Sequence, residues 1–292
     1  AEDGIRDFCL SRGLGDVYKR QSLTPMLSPS ARLIGDFTVT ALAEDRFQLT
    51  ASYGSQAFHM RWFEQHLEGY DLQIENISTR RIGFQIAGPK ARDVLAACTR
   101  ADVSAQALAF MDARTIDVGP YQALVQRVSY TGDLGYEIYV NADEQFGLYQ
   151  VLAEAGAAHG MRPFGMRAMM SLRLEKFFGS WQREFRPDFR PAETGMDRFV
   201  AYNKPGDFIG KAAAAAEKAA GPERTLCAFA VDAVDADVVA DEPIFDGDTV
   251  IGFVTSGGYA HYSQQSVALG FVPTPRAVDG AEFAIEILGE RR

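Results

Sequence analysis

The alternation of apolar and polar positions changes period several times along the chain. LIGDFTVTALA (33–43) is β-branched and partly alternating, and RFQLTASY (46–53) resumes that pattern after the acidic turn Glu44-Asp45, which predicts a hairpin. In SQAFHMRWFEQHL (55–67), Phe58, Trp62 and His66 fall four apart on one helix face, and Gly69 is the stop signal. YDLQIENI (70–77) and RIGFQIAG (81–88) read as strands. Gly88-Pro89 then opens a helix over PKARDVLAACT, where proline suits a first turn. The order strand, helix, strand, strand, helix is that of an α+β domain rather than a doubly wound sheet.

A further strand pair is predicted in YQALVQRVSY (121–130) and YEIYV (136–140), joined by TGDLG, whose glycines permit a tight turn. Asn141 and Glu144 form a capping-box pattern, followed by Phe146, Tyr149, Leu152 and Ala153 at helical spacing and a stop at Gly160. Another helix, MRAMMSLRLEKFF, leads into the polar loop SWQREFRPDFRPAETGMD. The alanine-rich AAAAAEKAA with Gly221-Pro222 marks a linker. Beyond it TLCAFAV, EPIFDGDTVIGFVTSGG, SVALGFV and EFAIEIL are nearly all strand-like, so 222–292 reads as a small β-barrel or sandwich. Strand pattern runs up to Leu288 and the chain stops at GERR, so a cut at the C-terminus is expected.

Composition narrows the function classes. The chain has 292 residues, is 47% hydrophobic and carries a formal net charge of −10 at pH 7. No apolar run approaches the ~18 residues of a membrane span, and the acidic balance argues against nucleic acid or an anionic membrane as partner. A small molecule or a protein is the expected partner. Cys98 (in VLAACT) and Cys227 (in TLCAFAV) sit among apolar neighbours and read as buried thiols of a reducing, cytoplasmic compartment. Neither has a second Cys or His at ligand spacing, so no metal site is expected.

The first 21 residues, AEDGIRDFCLSRGLGDVYKRQ, have no long apolar stretch for a signal peptide and no strand before Gly13-Leu14-Gly15 for a nucleotide loop. Ala1–Asp7 and Ser11–Gln21 back-translate, in one frame, into strings resembling the adapter oligonucleotides of a transposase-based sequencing library. The leader is therefore expected to be non-native and disordered, with the biological sequence starting at Ser22.

SYTGDLGYEIYV (129–140), MSLRLEKFFGSW (170–181), NKPGDFIGK (203–211) and VTSGGY (254–259), in that order, resemble the aminomethyltransferase (glycine-cleavage T-protein) superfamily. SLTPMLSPSARLIGDFTV and GSQAFHMRW are similar to the folate-binding C-terminal half of dimethylglycine and sarcosine dehydrogenases within it. Met169 and Met170 stand where glycine-cleavage proteins resemble Arg-Asp, which favours the dehydrogenase branch. The resemblance implies a three-domain cloverleaf around a folate site, with two α/β (ferredoxin-like) segments and a C-terminal β-barrel. On that basis 22–84 with about 161–210 form the first domain, 85–160 the second and 222–292 the barrel.

The same resemblance implies the site. Glu137 matches the family's pterin-binding Glu; a carboxylate can accept in parallel from the ring N–H and its adjacent amine. Without the resemblance, a Glu after a hairpin turn is as readily a solvated strand residue. Tyr130 is implied at the pterin edge, and Phe178 and Trp181 as an apolar wall, although aromatics at such positions are core as often as site. Relatives resemble G-S-x-x-x-D-x-R-W at a helix start, and GSQAFHMRW places His59 at that carboxylate. With an ordinary pKa of about 6.5, His59 can act as a general base but gives no constant negative charge; a lone helix histidine is also commonly a packing residue.

The implied reaction is oxidative demethylation of an N-methyl amine such as dimethylglycine or sarcosine, with tetrahydrofolate capturing the one-carbon unit as 5,10-methylenetetrahydrofolate. The resemblance implies FAD on an N-terminal half of the same native chain, and with no G-x-G-x-x-G after Ser22 this stretch is expected to bind no flavin on its own. The alternatives are a stand-alone aminomethyltransferase or demethylase of the superfamily, and a non-catalytic folate-binding or scaffolding module.

Overall fold

A computed structural model describes residues 20–292. They fold as two compact units, 20–22 with 38–165, and 23–37 with 166–292. Strands β1 (Gln21–Leu27) and β2 (Leu33–Ala43) each contribute residues to both units.

The predicted hairpin forms. β2 pairs antiparallel with β3 (Arg46–Thr50), from Thr38↔Thr50 to Ala43↔Arg46. The leader expected over residues 1–21 lies outside the described residues up to position 19, and its last two residues make backbone contacts. Gln21 is 6% exposed; its backbone N–H donates to Met111 O (2.8 Å) and its Nε2 to Asp112 O (3.1 Å). Arg20 O accepts from Ala41 N, and Arg20 forms a bridge with Asp112. The reason is that ladder bonds use backbone groups, which every extended residue presents whatever its side chain.

The core of the first unit is a four-stranded sheet in the order β4-β7-β6-β5, with β4 Arg81–Ala87, β5 Ala113–Val118, β6 Tyr121–Gln126 and β7 Gly135–Asn141. Helices α2 (Ala91–Cys98) and α3 (Gln145–Ala157) pack on each other and on β7. They cover the face bearing Ile86, Val125, Tyr136, Ile138 and Val140, and Val94, Leu95, Leu148 and Leu152 complete that core. Side chains alternate across a strand, so the intervening residues of β4, β6 and β7 line the opposite face. The Asn141–Glu144 capping box is present, with Glu144 Oε2 accepting from Asn141 N at 3.0 Å.

Two sequence expectations fail here. YDLQIENI forms no strand: alternation makes a strand only where a ladder partner exists, and the sheet ends at β4. The strand expected over 121–130 stops at Gln126, leaving Tyr130 in the connection to β7; β5, preceding it, went unrecognised. Helix α1 (Gln56–Gln65) forms where expected but buries His59 and Phe63, while Phe58, Trp62 and His66, the face expected from the spacing, are only half-buried.

In the second unit, β8 (Arg224–Val231), β9 (Pro243–Asp246), β10 (Thr249–Ala260), β11 (Gln265–Pro273), β12 (Ala284–Ile287) and β13 (Glu290–Arg291) form a six-stranded sheet in the order β13-β12-β9-β10-β11-β8. Val238, Ile244, Val254, Ala268, Val272 and Ile285 build its core. α4 (Met166–Leu174) packs on β10 and β11, and α5 (Pro191–Thr194) on β8 and on α6 (Lys211–Ala220), the alanine-rich helix.

Candidate functional site

The face of the first unit's sheet turned away from α2 and α3 is polar at its centre. Glu137 on β7 lies opposite Gln85 of β4 and Gln126 of β6. Two residues further along the same face is Tyr139, which pairs with Gly83 and Leu124. The Tyr139 hydroxyl donates to Glu137 Oε2 at 2.6 Å. A Cβ at Gly83 would lie 2.5 Å from the Tyr139 ring, so the phenol fits across β4 only because that position has no side chain.

Among the described residues no cation pairs with Glu137. Burial pushes its carboxyl above the usual carboxylate range, and the Tyr139 hydrogen bond partly offsets that rise. Burial and the adjacent Glu137 charge likewise raise the Tyr139 phenol, so Tyr139 stays a donor near neutral pH. Gln85 Nε2 donates to Ser129 Oγ (3.2 Å), and Ser129 Oγ is 2.8 Å from Thr131 Oγ1. Gln126 is fully buried, with Nε2 donating to Thr40 Oγ1 at 2.7 Å. The result is a half-buried carboxylate among neutral amides and hydroxyls, with Tyr139 as its side-chain donor among the described residues.

Tyr130 is half-buried on the same unit, in the β6–β7 connection beside Ser129 and Thr131. His59 is only 3% exposed on α1, its ring centroid 5.6 Å from that of Phe58, an environment that suits packing better than proton exchange with solvent. Phe178 and Trp181 belong to the second unit, on the segment after α4; Phe178 is half-buried and Trp181 is 9% exposed.

A closed polar network fixes that segment. Glu184 Oε2 accepts from Arg173 Nη1 (3.0 Å) and from Ser180 N (2.8 Å), while Oε1 accepts from Thr255 Oγ1 (2.6 Å). Arg173 also donates to Phe178 O at 2.9 Å and to Ser256 Oγ. Glu184 and Arg173 are 0% and 1% exposed.

A further titratable group was missed in the sequence. Asp36, on β2 in LIGDFTV, is partly enclosed, and burial pushes its carboxyl up to about 7. A near-neutral pKa with some solvent access is what proton exchange requires. An acidic residue inside a β-branched run was the available signal.

Residues 15–204 match the GCVT N-terminal domain, and 224–292 the glycine cleavage T-protein C-terminal barrel domain. The chain belongs to the glycine cleavage T-protein family. Human mitochondrial dimethylglycine dehydrogenase is 35% identical over 271 residues, covering 92% of this chain and 31% of that protein. The chain thus spans about a third of the length of the dimethylglycine dehydrogenases it matches. An aminomethyltransferase of Moorella thermoacetica is 30% identical over 279 residues, covering 95% of this chain and 74% of the relative. The crystal structure of the glycine cleavage system aminomethyltransferase T from Bartonella henselae superposes with a TM-score of 0.87 at 26% identity, over 97% of this chain and 76% of that one. The expected α+β fold with a C-terminal barrel-like domain is therefore that of the T-protein family.

The Glu137 face offers open carboxylate lone pairs to a ligand that brings paired N–H donors.

Proposed function

We propose that this T-protein-family chain binds tetrahydrofolate through Glu137 and serves one-carbon transfer from an N-methyl amine of the dimethylglycine or sarcosine type. Glu137 carries the reading: it is a desolvated carboxylate with one donor, Tyr139, and no cationic partner among the described residues. Such a group is stabilised by a ligand that supplies the missing donors, and a pterin edge has two side by side. When bound, tetrahydrofolate supplies the amine nitrogens on which a one-carbon unit is carried as 5,10-methylenetetrahydrofolate.

The chain's own residues hold and orient the ligand and exchange protons. Glu137 binds; Tyr130, Phe178 and Trp181 remain the proposed folate contacts. His59, at the position the family fills with a carboxylate, and Asp36, whose carboxyl burial pushes up to about 7, are the two proposed groups for proton exchange.

The relationship to dimethylglycine dehydrogenase over 92% of this chain favours a role as the folate half of such an enzyme, with FAD on a further part of the native chain. The relationship to the Moorella aminomethyltransferase supports the second reading, a stand-alone transferase. Coding sequence upstream of Ser22 separates the two: a flavin-binding half is expected, and a start codon without one would leave the stand-alone reading. Folate binding itself is tested by titrating the full chain with tetrahydrofolate while following Trp62 and Trp181 fluorescence. A saturable change that Glu137→Ala removes is expected, and no saturable change would overturn the folate assignment.

A further inference from the structure

The hydrogen bond on Glu137 is the end of a longer chain of donors. Gln48 Nε2, on β3, donates to Thr50 Oγ1 at 3.4 Å. The Thr50 hydroxyl in turn adjoins Tyr139 and favours its ionised form, the effect of a donor directed at the phenol oxygen. The phenol then donates to Glu137 Oε2 at 2.6 Å, the short distance of a hydroxyl bound to a carboxylate. Every proton in this series points toward Glu137. Three side chains from two sheets thus stand in series behind one oxygen, which Tyr139 alone of them contacts, and the ring that carries the last link is admitted only by Gly83.

We propose that the Gln48–Thr50–Tyr139 chain is a positioning device for the ligand-binding carboxylate, fixing one lone pair of Glu137 Oε2 and presenting the remaining acceptor positions to the ligand. The inference rests on the folate reading of Glu137 and goes beyond it by assigning work to residues that need not touch the ligand. A carboxylate free to rotate would have to be ordered when the ligand arrives; here the protein has ordered it beforehand. Hydrogen bonds in series polarise one another, so Thr50 strengthens the bond that Tyr139 makes. The arrangement also opposes protonation. Burial raises the Glu137 pKa and Tyr139 lowers it, while the neighbouring strands face Glu137 with uncharged Gln85 and Gln126. Tyr139 is the titratable side chain in contact with it, and β3 contributes Thr50 and Gln48, both neutral.

Tyr139→Phe keeps the ring and removes only the hydroxyl. Tetrahydrofolate affinity of the full chain should fall by roughly tenfold to a hundredfold at neutral pH, the effect of losing a hydrogen bond to a charged group. The loss should be largest at low pH, because Glu137 then takes up a proton more readily and only its ionised form accepts two donors. In the ligand-free protein, the Glu137 carboxylate band in infrared difference spectra against Glu137→Gln should titrate at a higher pH in Tyr139→Phe. Thr50→Val should shift it in the same direction by less.

An unchanged midpoint, or unchanged affinity despite a shifted midpoint, overturns the positioning role. Failure of the wild-type chain to bind tetrahydrofolate overturns the folate reading instead, and the ligand-free midpoint still decides whether Tyr139 sets Glu137. Should thermal unfolding show that Tyr139→Phe is not folded, Thr50→Val decides by the same midpoint, and no shift there overturns the chain.

Discussion

Glu137 in the first unit and Glu184 in the second are carboxylates withdrawn from water on opposite terms. Glu184 has both oxygens occupied, by Arg173, the Ser180 backbone and Thr255, and its cation is as buried as itself. Glu137 has one hydroxyl donor and no cation among the described residues. The first arrangement satisfies both carboxylate oxygens as folded and ties the segment bearing Phe178 and Trp181 to α4 and β10. The second is half-buried, with a hydroxyl donor on one oxygen, and can accept further donors from a ligand. Burial alone therefore does not mark a site; unused acceptor capacity at a buried charge does.

The largest effect is expected at the closed network. Glu184→Leu or Arg173→Leu alone strands a buried charge and should lower unfolding free energy by about 3–5 kcal/mol in denaturant titrations. Arg173→Met with Glu184→Leu should recover much of that loss, because neither charge is left unpaired. If each single change were mild, Glu184 would not be the closed counterpart described.

Asp36→Asn should reduce one-carbon transfer by about 10²–10⁴-fold, the usual contribution of a positioned acid or base. Tetrahydrofolate affinity should remain near wild type, and steady-state turnover alongside binding measures both. Unaltered turnover would leave the proton step to His59.

At the open carboxylate, Glu137→Gln should weaken tetrahydrofolate binding by roughly a hundredfold, as expected when a charged acceptor of two hydrogen bonds is neutralised. The unfolding midpoint should be unchanged or raised, since a desolvated charge has been removed. A clear loss of stability would mean that Glu137 is structural after all, in the manner of Glu184.

The smallest effect concerns Glu217 on α6, an intermediate case. It is 8% exposed, and burial together with the Glu193 charge pushes its carboxyl up to about 7. The folded chain thus holds a proton that the unfolded chain releases above its ordinary value of 4.5. Its contribution to stability is full below that value and is lost as pH rises through about 7. Glu217→Gln should change little at pH ~5 and stabilise by about 1 kcal/mol above pH ~8, which a pH series of unfolding curves would reveal.

What the sequence made legible follows the range of the interactions. The β2–β3 hairpin and the Asn141–Glu144 cap depend on neighbours in the chain, and both were readable there. Glu137 was found through a resemblance, since a Glu in YEIYV has nothing local to separate it from a solvated strand residue. Asp36 stayed hidden because its ionisation comes from tertiary burial, which no spacing encodes. YDLQIENI misled for the converse reason: its alternation is genuine, but strand formation needs a partner supplied elsewhere in the fold. The role of Tyr139 needed the cross-strand register, which sets it beside Gly83.

That glycine has a consequence for how the protein can vary. Any side chain at position 83 would meet the Tyr139 ring first, 2.5 Å away. A methyl group added on β4 would thus be felt two strand positions along β7, at Glu137. Libraries randomised at position 83 and selected only for folding should accept residues that a selection for folate binding rejects. The gap between those two sets would measure how much of the site is written in an atom the chain lacks.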